Sequence, residues 1–600
     1  TMMSSYVHNS GDVSGGAFLC ELNKYTQFIN SRFVWNSVSV HGGSISQQTG
    51  RNIFIFNCSF HNNSAGYQGG SVYCQDFLVI KTCLSAFTKN SAENIGGGVF
   101  SFSQSQYIII ISCKFLQNYV ESSGGVFLSK YLTMMSIVSS SFSENIAGSH
   151  GGTGMMDNVM FATIKFSYFQ KEQSIKANGG VLFISININI SISFCHFKKN
   201  RAQRGSCMFI SGSLSSHAIE INHNKFSQNI ASKDAGCIRI YMFSLLLIYS
   251  SGFSTNLAAK NEGGALKLEH ITSLTMQHVN VRNNSALNSH GGSVCILKVD
   301  IVLISNCKFE FNRAHLEGGA AKVVDVNFLT LNNSILVENS AGQHGGSFFI
   351  FLQRVFQTNI IVISFCSFVQ NTAGGSGTSL AITGVTEVQL VDIHVHGSDN
   401  NSDSKVVIMQ SVLLSMQNLS FKNIERNKVI METSFVLLKK LKNLEFVCPF
   451  YTYLKEISES GDNQYYQNCN KAKTCSTVLK YQCITCRGNT YIIKFDPWVI
   501  KRQLQNDKHI SDMQCYNCPI GGRCILGKVF SLPNYWGYVS NNQAVFVHCP
   551  PDFCCSKAPC KSFNGCNIGR YGPLCSYCKH NYSLALHYNY CLPAHQCSPE

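Results

Sequence analysis

The 600-residue chain is predicted to fold as an all-β parallel β-helix, a solenoid of about 27 residues per coil, followed by a small disulfide-rich module. Three observations carry that expectation. Glycine pairs, or close substitutes, start at residues 15, 42, 69, 96, 124, 151, 179, 205, 235, 263, 291, 318, 345 and 377. The pattern Phe-x-x-Asn precedes most of these pairs by a few residues. Of the 28 cysteines, 11 are scattered between Cys20 and Cys366, whereas 17 crowd between Cys448 and Cys597.

The first strand of each coil is expected around Phe33/Asn36, Phe60/Asn63, Phe87/Asn90, Phe115/Asn118, Phe142/Asn145 and Phe309/Asn312, and at the equivalent pairs between them. Val281/Asn284 and Leu336/Asn339 are conservative variants, and Phe169 is followed by Glu172. Side chains two apart on a strand share a face, so the Cys or Ser two residues before each Phe should point inward with it. Cys58, Ser85, Cys113, Ser140, Ser167, Cys195, Ser251, Cys307 and Cys366 fill that slot, with outward types such as Ser59, Lys114 and His196 between. The Asn is expected to leave the strand in left-handed geometry and to repeat its amide bonds from coil to coil. Next comes the corner, with Gly69-Gly70, Gly124-Gly125, Gly151-Gly152 and Gly318-Gly319 as examples. The first glycine accepts a positive φ there, and the small residue after the pair lets the corner pack inward. An apolar β segment then closes the coil. Leucine-rich, ankyrin and tetratricopeptide repeats require helix-period segments or other signatures, and a propeller blade needs a longer unit. Sixteen or so coils at about 4.8 Å would make a rod of roughly 75 Å.

These residues resemble the polymorphic membrane proteins, whose repeats carry Gly-Gly-Ala-[Ile/Leu/Val] and Phe-x-x-Asn. The resemblance covers about residues 6–380. It implies a right-handed, pectin-lyase-like β-helix exposed at a cell surface and associated with adhesion. Bacterial members end in a membrane β-barrel, for which this chain shows no counterpart.

Residues 1–383 are thus read as the glycine-pair coils and 384–447 as degenerate last coils that cap the open edge. Residues 448–600 form the cysteine-rich module. Within it, Gly569-Arg-Tyr-Gly572-Pro-Leu-Cys575-x-x-Cys578-x-x-Asn581-Tyr-Ser583 resembles the signature of EGF-like and laminin-type modules, with Asn581 where glycine is common. Cys469, Cys475, Cys483, Cys486, Cys515, Cys518, Cys524, Cys549, Cys554, Cys555, Cys560, Cys566, Cys575, Cys578, Cys591 and Cys597 are the disulfide candidates, their connectivity open. Cys483/Cys486, Cys515/Cys518 and Cys575/Cys578 also have zinc-ligand spacing, but the density of cysteine favours disulfides. Sequons at Asn57, Asn62, Asn189, Asn283, Asn332, Asn400, Asn418 and Asn581 fit a secretory route. The chain opens at Thr1 without a leader-type segment and reads as an internal stretch of a longer precursor.

Lys plus Arg outnumber Asp plus Glu by 47 to 32, a net +15 spread along the chain. Without a basic cluster, nucleic acid is not an expected partner. The strongest rival function is a polysaccharide lyase or glycoside hydrolase, which needs carboxylates converging from neighbouring coils. Asp12, Asp76, Asp157, Asp234, Asp300 and Asp325 share no repeat position in the sequence reading. His41, His150, His290 and His344 each precede a glycine pair in non-adjacent coils and read as turn residues. The expectation is a non-enzymatic cell-surface ectodomain without cofactor, recognising a protein or glycan and anchored by a membrane segment outside this stretch. A purely structural spacer is the other alternative.

Overall fold

A computed structural model describes residues 4–185, 189–213, 218–352, 359–397, 406–417, 419–422, 428–439, 445–447, 452–456, 479–485, 489–491, 499–501, 515–525, 528–540, 543–557, 560, 562–584 and 590–593. Almost every regular element is a β-strand, and among the described residues helix is confined to one 3₁₀ turn, Pro573–Cys575. The chain divides into two compact units: residues 1–407 with 417–426, and residues 408–416 with 427–600.

The first unit is a solenoid of parallel coils. Three-residue strands centred on the repeat Phe stack into a 16-stranded sheet, and two-residue strands such as Ser64–Ala65 stack into a 14-stranded one. Long segments such as Val72–Cys83 and Phe127–Val138 form the third wall. All pairings in the three walls are parallel, and most advance 27 or 28 residues per coil, as in Phe33↔Phe60↔Phe87↔Phe115↔Phe142. That register places each repeat Phe on the next. Phe33, Phe60, Phe87, Phe115 and Phe142 are fully buried, with ring centroids 4.5, 4.7, 5.1 and 4.7 Å apart in successive stacks. Ring faces meet because the strand spacing of about 4.8 Å suits near-parallel stacking. Phe309 is fully buried in the same column, between Val281 and Leu336. Across the core the long wall supplies alternating residues such as Ile108 and Ile110, both buried.

The inward Cys/Ser slot is formed as expected. Cys58, Ser85, Cys113, Ser140, Ser167 and Cys195 are buried, and Ser59, Lys114 and His196 between slot and Phe are exposed. The slot is a hydrogen-bond column: Cys58 N donates to Ser85 Oγ at 3.0 Å, and Ser85 Oγ donates to Cys83 O at 2.8 Å.

The repeat asparagines make a buried amide ladder. Asn63 donates its backbone N–H to Asn90 Oδ1 at 3.0 Å and its Nδ2 to the same oxygen at 2.9 Å. A second Nδ2 hydrogen bond reaches Phe33 O at 3.1 Å. The unit repeats from Asn36 to Asn145 and from Asn200 to Asn371. Asn312, for example, donates its backbone N–H and its Nδ2 to Asn339 Oδ1 at 3.1 and 2.9 Å, and its Nδ2 also reaches Val281 O at 2.9 Å. The ladder satisfies donors that would otherwise be stranded in the core.

Two sequence expectations about the corners need correction. Asn36, Asn63, Asn90, Asn118, Asn145 and Asn312 were each expected to turn in left-handed geometry, and none of them does. The left-handed residue is the one before the ladder Asn: Trp35, Asn62, Lys89, Gln117, Glu144 and Phe311 have φ of +58°, +49°, +56°, +55°, +58° and +55°. Turning one residue earlier leaves the Asn side chain pointing inward along the stack, so Asn312 and its counterparts are fully buried rather than presented at a surface turn. The corner side chain points to solvent instead, as with Trp35. The fourth glycine pair is Gly97-Gly98, not one starting at Gly96. Gly70 N donates to Gly97 O just as Gly43 N donates to Gly69 O, so Gly97 is the residue stacked on Gly69.

In the second unit the pairing changes sense. Lys428–Lys439 pairs in parallel with Glu445–Val447 but antiparallel with Leu479–Thr485, which also takes Thr452–Glu456 antiparallel. Glu445–Val447 pairs antiparallel with Val499–Lys501. Short antiparallel hairpins follow, the longest joining Tyr535–Ser540 to Gln543–His548.

Candidate functional site

Two surface columns arise from the stacking, and the period explains both. A residue at one repeat position meets its counterpart about 4.8 Å above and below, so a run of polar residues becomes a ladder.

The first feature is a groove of about 800 Å³ running beside the Asn ladder over several coils. One wall is the left-handed corner column: Glu144, Lys171, Lys199, Gln228, Thr255 and Asn283. The other wall is the first residue of the two-residue strands or its equivalent: Ile146, Gln173, Arg201, Ile230, Leu257 and Ser285. Glu144 accepts Lys171 Nζ at 2.7 Å and Gln117 Nε2 at 3.0 Å, and hydrogen bonding to Lys171 holds its carboxyl below the ordinary range. Both partners are well exposed, so the pair adds little to stability. Among the described residues no carboxylate lies within ion-pair distance of Lys199 or Arg201. The groove therefore combines uncompensated cations with apolar Ile146, Ile230 and Leu257.

Beneath the groove lies Glu172, fully buried in the place of a ladder Asn. Its Oε1 accepts Asn145 N at 3.3 Å and Asn145 Nδ2 at 3.1 Å, and Thr153 Oγ1 lies 2.5 Å from its Oε2. Burial pushes its carboxyl up to about 8, against the opposing pull of the Thr153 and Asn145 hydrogen bonds. It is a neutral acid at pH 7, held structurally rather than presented to solvent.

The second feature was missed in the sequence. The position before the glycine pair, or its equivalent, is occupied in six successive coils by Arg204, Asp234, Glu262, His290, Glu317 and His344. Beside it on the long wall, in register, run Phe209, Arg239, Lys267, Cys295, Lys322 and Phe349. Asp234 Oδ2 accepts Arg239 Nη1 at 2.6 Å and lies 3.4 Å from Lys267 Nζ, and Lys267 reaches Glu262 at 2.9 Å. Arg239 Nη2 reaches Glu269 at 3.2 Å. Glu317 takes His290 Nδ1 and Lys322 Nζ, both at 3.1 Å. The close approach of His290, with burial opposing and Lys322 adding to it, holds Glu317 down at about 2. For Glu262, burial is the largest single influence and pulls upward, but the Lys267 charge and hydrogen bond and the Lys322 charge together outweigh it, leaving the carboxyl below the ordinary range. Each of these carboxylates lies within ion-pair distance of a Lys or Arg, so the acids of the ladder are internally neutralised.

The histidines before glycine pairs belong to this same column, and aligning the coils on the pair would have revealed it. His41 stacks on Tyr73 at 4.4 Å, and His344 Nδ1 lies 3.0 Å from Ser376 Oγ. Burial lowers His41 and His150. Of the dispersed acids, Asp76 and Asp325 do share a position, contrary to the sequence reading. Both sit at the left-handed kink of the long wall, with φ +59° and +52°, but far apart along the stack.

Among the described residues of the C-terminal region, five disulfides join Cys518–Cys524, Cys549–Cys554, Cys555–Cys560, Cys566–Cys575 and Cys578–Cys591. Cys515 is disulfide-bonded as well. Cys575 and Cys578, at zinc-ligand spacing, are thus bonded to different cysteines. Cys549, Cys554 and Cys575 form a buried cluster with Trp536, Phe553 and Leu574 against it, so sulfur replaces much of the apolar core a small module lacks. Arg570 is buried there, its guanidinium 3.6 Å from the Phe553 ring centroid and donating to Cys575 O at 3.0 Å. Disulfides at this density belong to an oxidising, extracellular or secretory setting. Cys469, Cys475, Cys486 and Cys597 lie outside the described residues, as does the side chain of Cys483.

Among the sequon asparagines, Asn57, Asn283 and Asn581 are exposed, and Asn62, Asn189 and Asn332 are half-buried. Asn400 and Asn418 lie outside the described residues. Among the described residues no helix is long and apolar enough to cross a membrane. Comparison with protein-family models, with curated proteins and with solved structures finds no match to this chain.

Proposed function

We propose that this chain is a non-enzymatic recognition ectodomain of a secreted or cell-surface protein, and that it binds an extended acidic glycan along the groove between Glu144 and Ser285. The observation that carries this reading is the pair of uncompensated cations, Lys199 and Arg201, beside the apolar surface of Ile230 and Leu257. Sugar rings present an apolar face and polar edges, and carboxylate or sulfate groups supply the charge that Lys and Arg complement. A linear polymer laid along the stack meets equivalent positions at each coil, so contacts add by repetition. The likeness to adhesive repeat proteins and to EGF-like modules supports the same reading, as do the exposed sequons. A membrane anchor beyond this stretch, and glycosylation at Asn57 and Asn581, both exposed and outside the groove, belong to the proposal.

A lyase or hydrolase reading has less support, because the groove's exposed acid, Glu144, is tied to Lys171 and Glu172 lies beneath the surface. The test is saturation binding of the full chain to a sulfated or uronate polysaccharide and to a neutral glucan. The double variant Lys199→Glu with Arg201→Glu should weaken acidic-glycan binding at least tenfold, about 1.4 kcal/mol, while Lys114→Glu on the Phe wall leaves it unchanged. Binding should also fall with added salt. Equal affinity of the double variant, equal binding of the neutral glucan, or release of new chain ends from the polysaccharide would overturn the reading.

A further inference from the structure

Among the described solenoid cysteines, Cys207 and Cys237 alone occupy one repeat position in two adjacent coils. Both follow the corner, between Val181 in the coil before and Ala265 in the coil after, and all four are fully buried. Cys207 N donates to Cys237 O at 2.8 Å, which fixes the register, and the two sulfurs face each other at 3.0 Å. That is closer than two non-bonded sulfur atoms settle, and about 1 Å from a bonded pair. The slot thiols behave differently. Cys113, Cys195, Cys307 and Cys366 each donate to the backbone carbonyl two residues back, at 3.3, 3.2, 3.2 and 3.1 Å.

The place is also special in sequence. These two coils carry incomplete corners, Gly205-Ser206 and Ala235-Gly236, and the coil between them is 30 residues long. The left-handed corner is taken there by Ala235, at φ +53°, without the freedom of glycine.

We propose that Cys207 and Cys237 form a disulfide in the mature protein, a covalent rung that staples two adjacent coils where the glycine corner is defective. Two thiols give up two protons and two electrons. The oxidant is a disulfide of the secretory compartment, carried by an oxidoreductase or a small dithiol-disulfide compound. One thiolate attacks that disulfide and expels its first sulfur as a thiolate; the second thiolate attacks the mixed disulfide and expels the other. Two protein thiols plus one disulfide thus become one protein disulfide plus two thiols. Burial raises the Cys237 thiol well above its ordinary range and excludes the oxidant, so the exchange precedes closure of the two coils.

The test uses the 600-residue chain secreted from an oxidising host, alkylated in denaturant without reductant, then mapped by mass spectrometry. The expected result is a cross-linked peptide pair containing Cys207 and Cys237. Counting alkylated thiols gives a second measurement: Cys207→Ser should show one more than wild type because Cys237 is released, whereas Cys195→Ser should show one fewer. Recovery of Cys207 and Cys237 both alkylated in the wild type, with Cys207→Ser losing a thiol, overturns the proposal.

Discussion

Raising the pH from 4 to 9 should destabilise the solenoid through Glu172, by an amount on the order of 5 kcal/mol. The folded state keeps the Glu172 proton up to about 8, because burial penalises the charged form, while a free carboxyl loses it near 4.5. Between those values the folded chain binds the extra proton, so stability falls as pH rises; it is fully present below the unfolded value and gone above the folded one. Among the described residues no cation lies within ion-pair distance of the carboxyl. Its oxygens face Asn145 and Thr153, whose Nδ2 and hydroxyl donate to them. In Glu172→Gln the amide keeps the acceptor for Asn145 and donates toward Thr153, without the titration. Denaturant midpoints of the two proteins, followed by far-ultraviolet circular dichroism at pH 5, 7 and 9, should diverge in favour of the variant as pH rises. A pH-independent difference between them would remove the basis of this assignment.

The second large effect is expected at Gly125. A methyl group there would be driven into the carbonyl of Gly152 in the next coil, with the Ile146 backbone close on another side. Nothing in that contact is a flexible side-chain end; backbone meets backbone, so relief requires the coils to separate. Gly125→Ala should cost more than the ~3 kcal/mol usual for overpacking, read as a fall in denaturant midpoint or loss of secreted protein. Gly124→Ala suffers doubly, since Gly124 has φ +78° and a methyl there would meet the Phe127 carbonyl of its own coil. The control is Gly252, in a strand of the Phe wall with nothing within 4 Å of an added methyl, where Ala should be neutral or slightly stabilising. If Gly125→Ala matches Gly252→Ala in stability, the close stacking of the corners is wrong.

Much of the solenoid was legible because a parallel stack repeats its requirements. Phe60, Phe87 and Phe115 recur where one ring packs on the next, and Cys58, Ser85 and Cys113 recur where only a small inward group fits. Asn63, Asn90 and Asn118 recur because the ladder needs an amide that both donates and accepts. Less legible were features that depend on which atoms meet between coils. The left-handed corner at Asn62 rather than Asn63, and at Phe311 rather than Asn312, required the backbone path, and the shift from Gly96 to Gly97 required the hydrogen-bond register. The ion ladder joins residues about 30 apart, Asp234 with Lys267 and Arg239 with Glu269, which a search for paired acids within one coil overlooks. The groove emerges only when the polar corner column and the mixed polar and apolar column of the two-residue strands stand side by side.

By itself, the sequence determined the architecture: a period near 27 dictates stacked coils, and 17 cysteines in the last 153 residues dictate a disulfide-stapled region suited to an oxidising setting. Tertiary structure alone decided which groups are charged, paired or free. Burial makes Glu172 a neutral acid, and His290 with Lys322 makes Glu317 a firmly ionised one. Among the described residues, neighbouring coils bring no carboxylate within ion-pair distance of Lys199 or Arg201, and they bring Cys207 to Cys237. The physical reason is the same in each case. A residue type specifies what an atom can do, whereas its solvation and the partner supplied by the next coil specify what it does.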